Sequence, residues 1–322
     1  MKTCKLLHGF LCATMMCCLS SDGYTEGKKP PVTVAAQQYI PLADPFIMLF
    51  DDTYYACGTS SDSGFEVYYS SDLKYWKKHP AWLLHRDDSY ADRWFWAPEM
   101  YYNADKRMFY LYYSADEHIC VATGASPLGP FKQQARQPMR GEKSIDPSLF
   151  IDDDGAPYLY FVRFTDGNAI WCARLEPDLT TIRESSLVQC VNVSQEWEKV
   201  QDRVTEGPTV IKRGGVYYML YSANHYQSRS YGTGYATASS PLGPWTKSDG
   251  NPILQNPHPD LTGTGHGSCF MDRNGNMKYV FHAHRGLDAI HPRRMYITDV
   301  TFTQHGDMVM NNDNIIFPQQ IL

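Results

Sequence analysis

The chain has 322 residues and a formal net charge of −6, with 20% charged and 14% aromatic residues. This length allows one large domain or two ordinary ones. The acidic balance gives no electrostatic footprint for nucleic acid, which we exclude as a partner, and a surface rich in aromatic side chains suits a neutral ligand such as a sugar.

The first 19 residues are predicted to be a signal peptide. Lys2 and Lys5 precede an apolar run over residues 6–18, which is too short to span a membrane as a mature helix. Cys17 and Cys18 precede a polar stretch, as at the processing site of a bacterial lipoprotein. We expect export to the periplasm, to the outer membrane as a lipoprotein, or to the medium. A lipid on one of these cysteines and ordinary secretion both remain open, and we expect membrane contact only through such a lipid.

Residues 20–35 are polar and contain proline, which predicts a disordered linker. Residues 36–322 are predicted to form one domain, which we expect to be a monomer. Outside the leader lie five cysteines without metal-site spacing, and buried free thiols are the favoured interpretation. A disulfide between Cys172 and Cys190 remains open.

Five similar segments recur through this domain. They begin around Asp44, Glu99, Asp146, Glu206 and His266, at steps of 55, 47, 60 and 60 residues. A β-rich repeat of roughly 50 residues is typical of propeller blades.

An aromatic strand follows each segment after a turn of Asp, Asn, Gly or Lys residues. Examples are the strands at 108–113 and 216–221, and such turns between aromatic runs indicate hairpins. Three further turns deliver an aromatic residue, Trp76, Phe131 or Trp245, that could pack between blades. Helical periodicity is scarce, so we predict an all-β, five-bladed β-propeller. An array of β-sandwiches would explain the strands but not the matched order of the pieces.

The five segments resemble those of glycoside hydrolase family 43, the five-bladed arabinosidases and xylosidases. The pieces that carry the resemblance, in chain order, are Ala43-Asp44-Pro45, Trp96-Ala97-Pro98-Glu99, Ser144-Ile145-Asp146-Pro147, Thr205-Glu206-Gly207-Pro208 and Gly265-His266-Gly267-Ser268. Each alone is weak, but all five in order at blade spacing are specific.

The resemblance implies an inverting glycosidase with three catalytic carboxyl groups. It makes Asp44 the general base, Glu206 the general acid, and Asp146 the group that tunes and orients the acid. Inversion requires a carboxylate that activates water and an acid roughly 6.5–9.5 Å away, a gap that residues of different blades can supply. We expect a charged Asp146 to raise the pKa of Glu206 by repulsion.

Other side chains are candidates for substrate binding. Phe46, Trp94 and Trp96 offer aromatic faces to a sugar ring, with packing between blades as the alternative for each. Glu99 is interpreted as a supporting group or a ligand of a sugar hydroxyl. Arg285, placed at the end of an inner strand of the fifth repeat, is the arginine that the resemblance directs to the sugar.

No cofactor is expected for the chemistry itself. His266 is expected on the axis, where members of the resembled family often hold a structural calcium ion through water. One histidine is not a metal motif by itself, so bound calcium and its absence both remain open.

The sequence predicts removal of terminal α-L-arabinofuranose from a plant-type glycan that contains arabinose or xylose. Residues 87–93 and 224–231 look like rim loops that would close one end of the cleft and favour exo action. A β-xylosidase, an endo-acting arabinanase or xylanase, and a sugar-binding propeller without activity are the alternatives.

Overall fold

The structure is a computed structural model that describes residues 38–321. Five main sheets follow one another along the chain, and each is largely antiparallel. We call them blades one to five, and the predicted all-β five-bladed propeller is confirmed. The predicted signal peptide and linker lie outside the described residues.

Each blade begins at its innermost strand and runs outward. The strands are Ala43–Phe50, Thr53–Thr59, Tyr68–Ser70 and Tyr75–Lys78 in blade one; Trp96–Asn103, Met108–Ala115 and His118–Gly124 in blade two; Ser144–Ile151, Pro157–Phe164, Asn168–Arg174 and Val188–Val191 in blade three; Thr205–Arg213, Val216–Ala223, Gly232–Ala238 and Thr246–Lys247 in blade four; and Gly265–Met271, Met277–Ala283, Arg294–Phe302 and Met308–Met310 in blade five.

Small elements decorate the blades. The strands Gly64–Phe65 and Leu84–His85 pair with each other beside blade one. Short 3-10 helices cover Arg86–Asp88, Glu184–Ser186 and Glu196–Glu198. None of the helices among residues 38–321 is long and apolar enough to cross a membrane.

In blades one and four, the hairpin turn between the first two strands has a backbone conformation that suits their pairing. In blade one Asp51 and Asp52 have φ values of 45° and 58°, and in blade four Gly214 and Gly215 have values of 58° and 82°. Two consecutive left-handed residues match the twist of the flanking strands, and Asp and Gly tolerate that conformation best.

The hydrophobic core is divided into five clusters, one at each contact between neighbouring blades. Trp76 lies between blades one and five, and Phe131 lies between blades one and two. Trp245 packs on Tyr160 between blades three and four, with ring centroids 6.2 Å apart. The aromatic turn residues therefore pack as predicted. Because apolar side chains fill the spaces between blades, the axis is left for polar groups.

The ring is closed by the C-terminal strand Gln319–Ile321. It pairs in parallel with the outer strand Tyr75–Lys78, so blade one contains both ends of the domain. The five described cysteines are free thiols.

Candidate active site

A β-bulge interrupts the start of every innermost strand. In all five blades the register of the first two strands shifts within the first five residues of the inner strand. The bulged residue has a left-handed backbone in each blade: Asp44, Ala97, Asp146, Gly207 and His266, with φ between 39° and 58°. Such a bulge re-aims neighbouring side chains, here towards the axis at one face of the ring.

These bulges correct the predicted alignment of the repeats. Ala97, not Glu99, is the equivalent of Asp44, and Gly207, not Glu206, is the equivalent in blade four. The equivalent residues precede Pro45, Pro98, Pro147 and Pro208, so the proline marks the register better than the carboxylate does. Glu99 lies two positions after the bulged residue of its blade, whereas Glu206 lies one position before the bulged residue of its own. Their side chains therefore lie at different depths along the axis of the propeller.

Hydrogen bonds between blades hold the bulges. The backbone N–H of Asp44 donates to His282 Nδ1 (3.1 Å), and that of Ala97 donates to Thr59 Oγ1 (2.9 Å). Likewise, Asp146 donates to Ser114 Oγ (3.0 Å) and His266 to Ser222 Oγ (2.7 Å). In each case the acceptor lies on the second strand of the preceding blade, near its end. Each bulge is thus positioned by its neighbour in the ring.

The three predicted catalytic carboxyl groups meet at one cavity on the axis, although they come from three different blades. The cavity has a volume of about 230 Å³. Its other walls are Trp96, Ile145, Asn168, Val204, His225, Tyr226, His266 and Arg293. Asp44, Asp146 and Glu206 are each less than a tenth exposed.

Asp44 is surrounded by donors. Arg293 donates through both terminal nitrogens to its two oxygens, at 2.9 and 3.3 Å, and Thr59 Oγ1 donates to Oδ2 at 2.7 Å. Burial by itself raises the pKa of Asp44, but Arg293, with His266, His282 and Thr59, brings it well below the usual range. Asp44 is therefore ionised at neutral pH, as a general base must be.

The pKa of Glu206, unlike that of Asp44, is raised. Tyr231 OH donates to its Oε1 at 2.8 Å, and Asn168 Nδ2 donates to its Oε2 at 3.1 Å. Burial is the largest influence on this carboxyl, and with the negative charge of Asp44 it raises the pKa of Glu206 to about 7. A carboxyl group with this pKa is half protonated near neutral pH and can donate a proton.

Asp146 lines the same cavity as these two groups. Its Oδ2 accepts the backbone N–H of Gly207 at 3.2 Å. Burial and the charges of Glu206 and Asp44 raise its pKa well above the usual range. Because Asp146 and Glu206 interact strongly, they titrate as a pair that retains a proton near neutral pH. We expected a charged Asp146 to raise the pKa of Glu206 by repulsion. Burial is the larger cause, and Asp44 is the charge that adds to it.

The three aromatic residues at the start of blade two, Trp94, Phe95 and Trp96, occupy different positions relative to the cavity. Trp96 lines the cavity, whereas Phe95 is buried between blades one and two. Trp94 stacks on Trp96 at 5.9 Å, and the guanidinium of Arg93 lies 4.3 Å from the Trp94 ring centroid. Trp94 packs on Trp96 but does not itself line the cavity, so it supports the cavity wall rather than forming it.

Two other predicted substrate residues lie beneath the cavity. Phe46 is buried and packs on Tyr101, and Glu99 accepts a hydrogen bond from the Tyr101 hydroxyl. Both line a separate axial chamber of about 10 Å³ rather than the catalytic cavity. Burial raises the pKa of Glu99 to about 8. The bulge of blade two, which turns Ala97 rather than Glu99 to the face of the ring, explains this deeper position.

The arginine at the cavity is Arg293, not Arg285. Arg285 is exposed on the loop that follows the second strand of blade five and does not line the cavity. That loop covers residues 284–293, and Arg293 is its last residue before the third strand begins. Both arginines flank one long hairpin loop, and only the path of the loop decides which one turns inwards.

Sequence reasoning missed Arg293, His282, Asn168 and Thr59, and it placed Tyr231 in a rim loop without assigning it to Glu206. Tyr231 is fully buried and stacks on His282 with ring centroids 5.6 Å apart, so the partners of acid and base touch each other. For His282 and Thr59 an available signal was their place near the end of a second strand, since such ends contact the bulge of the next blade in blades one, two, four and five. The predicted rim loop 224–231 contributes His225 and Tyr226 to the wall.

His266 was the candidate for a calcium ion. Its Nδ1 lies 3.4 Å from Asp44 Oδ1 and 3.9 Å from Asp146 Oδ2, beside the axial chamber. A chamber of about 10 Å³ holds about one water, whereas calcium takes roughly six to eight oxygen ligands. No group of three or more His, Cys, Asp or Glu side chains among residues 38–321 is arranged as a metal site. The residues present do not fit a directly bound calcium ion, and one held through water stays a prediction.

Comparisons with known proteins give the class that this fold and site define. Residues 39–308 match the family described as Glycosyl hydrolases family 43. The chain therefore belongs to glycoside hydrolase family 43, as the sequence motifs predicted.

Particular relatives have differing activities. The chain is similar to the beta-D-galactofuranosidase xynD of Aspergillus niger, with 28% identity over 84% of this chain and 82% of the relative. It is similar in structure to a protein described as an endo-1,4-beta-xylanase from Bacteroides thetaiotaomicron, with 48% identity, a TM-score of 0.86, and coverage of 89% of this chain and 99% of the other. A thermostable family-43 glycoside hydrolase is 34% identical, with a TM-score of 0.77 over 84% of this chain and 93% of that one.

Proposed function

We propose that the protein is an inverting glycosidase that removes terminal α-L-arabinofuranose from glycans containing arabinose or xylose. The observation that carries the proposal is the cavity of about 230 Å³, lined at once by an ionised Asp44 and a Glu206 with a raised pKa. A space of this size suits one sugar ring. His225 and Tyr226 of the rim loop line the cavity, and a wall at this position favours a terminal sugar over the middle of a chain.

The reaction follows from the charge states. Asp44 takes a proton from a water molecule, and the water oxygen attacks the anomeric carbon as the glycosidic bond breaks. Glu206 gives its proton to the departing oxygen. Asp146 accepts the Gly207 N–H next to Glu206 and orients the acid through this backbone contact. Trp96 offers its face to the apolar side of the sugar.

An endo-acting enzyme is the one competing candidate function that a specific observation favours. A second, wider cavity of about 510 Å³ adjoins the first and shares Trp96, Tyr226 and Arg293 with it. More room beside the central cavity is what an endo-acting arabinanase or xylanase would use. The similar protein described as an endo-1,4-beta-xylanase supports the endo-acting candidate. The relative described as a beta-D-galactofuranosidase supports a furanoside as the substrate. A β-xylosidase remains the exo-acting alternative.

Stereochemistry tests the mechanism. An α-L-arabinofuranoside should first release β-arabinofuranose, which proton NMR detects before mutarotation. Release of the α-anomer would require a covalent intermediate on a carboxylate about 5–5.5 Å from the acid, and it would refute the role of Asp44. Release from xylosides alone would select the β-xylosidase. No release from arabinosides, xylosides or galactosides, with binding to polysaccharide retained, would favour a sugar-binding propeller.

We also propose that the protein is exported and acts as a monomer, with any membrane contact made by a lipid on Cys17 or Cys18. The basic and apolar character of the first residues supports export. Mass spectrometry of the native protein should find its first residue at or just beyond these cysteines. An intact Met1 in the cytoplasm would refute export, and an unmodified first residue beyond Cys18 would refute the lipid alone.

A further inference from the structure

One buried side chain outside the cavity, Asn224, uses its full hydrogen-bonding capacity on backbone groups. It directly follows the second strand of blade four, is fully buried, and has a left-handed backbone with a φ of 69°. Its Oδ1 accepts the backbone N–H groups of Val200 and Gln201 at 2.9 and 3.1 Å. Its Nδ2 donates to the carbonyl oxygens of Trp197 and Ser230 at 2.8 and 2.9 Å. An amide has two donor hydrogens and two acceptor positions, so all four are satisfied here.

These bonds tie both ends of the rim loop 224–231 to one support. The loop begins at Asn224 itself, and Ser230 is the last residue before its end. The carbonyl of Ser230 also accepts from Gln255 Nε2 at 2.7 Å. The support is the segment 197–201, which precedes the inner strand of blade four. Asn224 therefore closes the rim loop and fixes it to the chain that leads into the strand of the proposed acid.

The segment 197–201 is held in turn by a buried ion pair. Glu198 is fully buried, and Lys247 Nζ donates to its two oxygens at 2.5 and 2.7 Å. The hydroxyl of Tyr221 donates to Oε1 of the same carboxylate at 2.6 Å. A buried carboxylate that lost such donors would be left without compensation for its burial, so the segment is a firm support for Asn224.

The end of the rim loop that Asn224 holds carries a partner of Glu206. Ser230 directly precedes Tyr231, whose hydroxyl donates to Glu206 Oε1 at 2.8 Å. The bond from Asn224 to the Ser230 carbonyl therefore acts one residue away from the side chain that contacts the acid.

Blade five holds the middle of the rim loop separately. His284 Nε2 donates to the carbonyl of Tyr226 at 2.8 Å. The guanidinium of Arg293 lies 4.6 Å from the centroid of the Tyr226 ring. Loss of the Asn224 side chain should therefore release the end of the loop at Tyr231 more than its middle.

We propose that Asn224 is a positioning residue for the general acid, because it fixes the end of the rim loop so that the Tyr231 hydroxyl stays on Glu206. Asn224 does not line the cavity, so its influence on the reaction passes through Tyr231. This inference rests on the proposed glycosidase function and adds to it a residue outside the cavity that tunes the acid.

The test is Asn224→Gly, which removes all four hydrogen bonds and keeps a residue that tolerates the left-handed backbone. The Tyr231 hydroxyl should lose its place on Glu206, and the alkaline limb of kcat/KM for an unactivated glycoside should move to higher pH by up to about one unit. The rate on an aryl glycoside with an acidic leaving group should stay within about threefold, because that departure needs little proton donation. The charged groups that act on Glu206 lie on other blades and are unchanged in every variant: Asp44, Asp146 and Arg293.

The double variant Asn224→Gly/Tyr231→Phe decides whether Asn224 acts through Tyr231. Its alkaline limb should coincide with that of Tyr231→Phe alone, because the bond that Asn224 maintains is already absent there. An unmoved limb in Asn224→Gly, or shifts that add in the double variant, would overturn the proposal.

Asn224→Asp serves as the second variant if the glycine variant does not fold. It keeps the shape of the side chain and the acceptor for Val200 and Gln201, but it loses the donor to Ser230. Its negative charge would also raise the pKa of the acid, and that contribution should persist in the Tyr231→Phe background. The part of the shift that disappears in this background measures positioning. A shift that persists there in full would overturn the proposal.

Asn251→Ala is the matched control for a general loss of stability in blade four. The amide of Asn251 bonds to the backbone N–H and carbonyl of Tyr235, both at 2.9 Å, and makes no hydrogen bond to residues 224–231. This variant should lower the melting temperature and leave the alkaline limb in place. A shift equal to that of Asn224→Gly would refute a specific role for Asn224. A wild-type protein that releases no sugar from arabinosides, xylosides or galactosides would refute the proposed function and this inference with it, whereas an active wild type with an unmoved limb in the variant refutes the inference alone.

Discussion

At the scale of residues, the site separates the charge states of two carboxyl groups that lie in one cavity. Asp44 and Glu206 are equally buried, and both experience the same penalty for ionisation in principle. Asp44 overcomes it because Arg293 and Thr59 donate three hydrogen bonds to its oxygens. Glu206 has only neutral donors, Tyr231 and Asn168, and remains close to half protonated at pH 7. These neighbours support the proposed roles of Asp44 as base and Glu206 as acid.

Glu206→Gln should reduce kcat on unactivated glycosides by about a hundred- to ten-thousandfold, since an amide cannot donate the proton. Aryl glycosides with acidic leaving groups should lose much less, because their departure needs little proton donation. A series of aryl substrates of graded leaving-group pKa measures this difference. Equal losses across the series would show that Glu206 is not the acid. Glu196→Gln, at an exposed glutamate bonded to Lys199, should change neither rate.

Tyr231→Phe should move the alkaline limb of kcat/KM to higher pH. The acid must be protonated, so activity should fall as pH rises through about 7, the pKa to which Glu206 is raised. The Tyr231 hydroxyl donates to Glu206 and favours its ionised form, hence its loss should raise that pKa by about one unit.

The pH profile of kcat/KM with an unactivated glycoside measures this shift. Tyr217→Phe is the control, because the Tyr217 hydroxyl bonds to Asp152 in the hairpin of blade three, away from the cavity. A limb that stays in place or moves to lower pH in Tyr231→Phe would contradict the assignment.

At the scale of elements, the recurrent bulge at the start of each inner strand positions the proposed catalytic groups. Its left-handed residue is an aspartate in blades one and three and a glycine in blade four. An added Cβ on Gly207 would lie 2.7 Å from the ring of His266, whose Nδ1 faces Asp44. Glycine is needed there for its space as well as for its backbone conformation.

Gly207→Ala should therefore be both less stable and far less active than the wild type. Gly214→Ala is a matched control, since Gly214 lies in the same blade, has the same φ of 58°, and has nothing within 4 Å of an added Cβ. The control should lose only the cost of a left-handed alanine, about 1–2 kcal/mol, and retain activity. Chemical denaturation and kcat measure the two effects. Equal behaviour of the two variants would show that contact with His266 is unimportant.

At the scale of the whole molecule, the propeller is a ring whose stability depends on its closure. The clusters between blades each contact two neighbours, and blade one meets blade five through residues such as Trp76 and Val280. The strand Gln319–Ile321 joins the end of the domain to this first blade. Gln319 N–H donates to Lys74 O at 2.8 Å, and Gln320 N–H donates to Gln38 O at 2.7 Å.

Deletion of residues 319–322 should lower the melting temperature by about 5–10 °C. The strand contributes a few backbone hydrogen bonds of about 1 kcal/mol each, and each kcal/mol corresponds to about 2–4 °C in a domain of this general size. Calorimetry measures the shift. Deletion of Leu322 alone keeps these bonds and should change little. An unchanged melting temperature after the longer deletion would mean that the packing between blades closes the ring without the strand.

The sequence by itself determined the fold, the family and the three carboxyl groups. Aromatic strands, Asp and Gly turns and five X-Pro or His-Gly segments repeat along the chain, and such local patterns depend only on neighbouring residues. Asp44 and Asp146 precede prolines that mark the bulge, and Glu206 is one residue from the corresponding Gly207-Pro208, so all three could be found without coordinates.

Only the tertiary structure decided which other side chains reach the cavity. Arg293 pairs with Asp44 across 249 positions and His282 across 238, distances in sequence that no repeat pattern encodes. The choice of Arg293 over Arg285 depends on the path of a loop, and the deeper place of Glu99 depends on a two-residue offset from a bulge. The pKa of Glu206 depends mainly on burial, which exists only after the blades have packed into a ring. Local sequence specifies strands and turns, whereas the environment of a charge is set by all the blades that surround it.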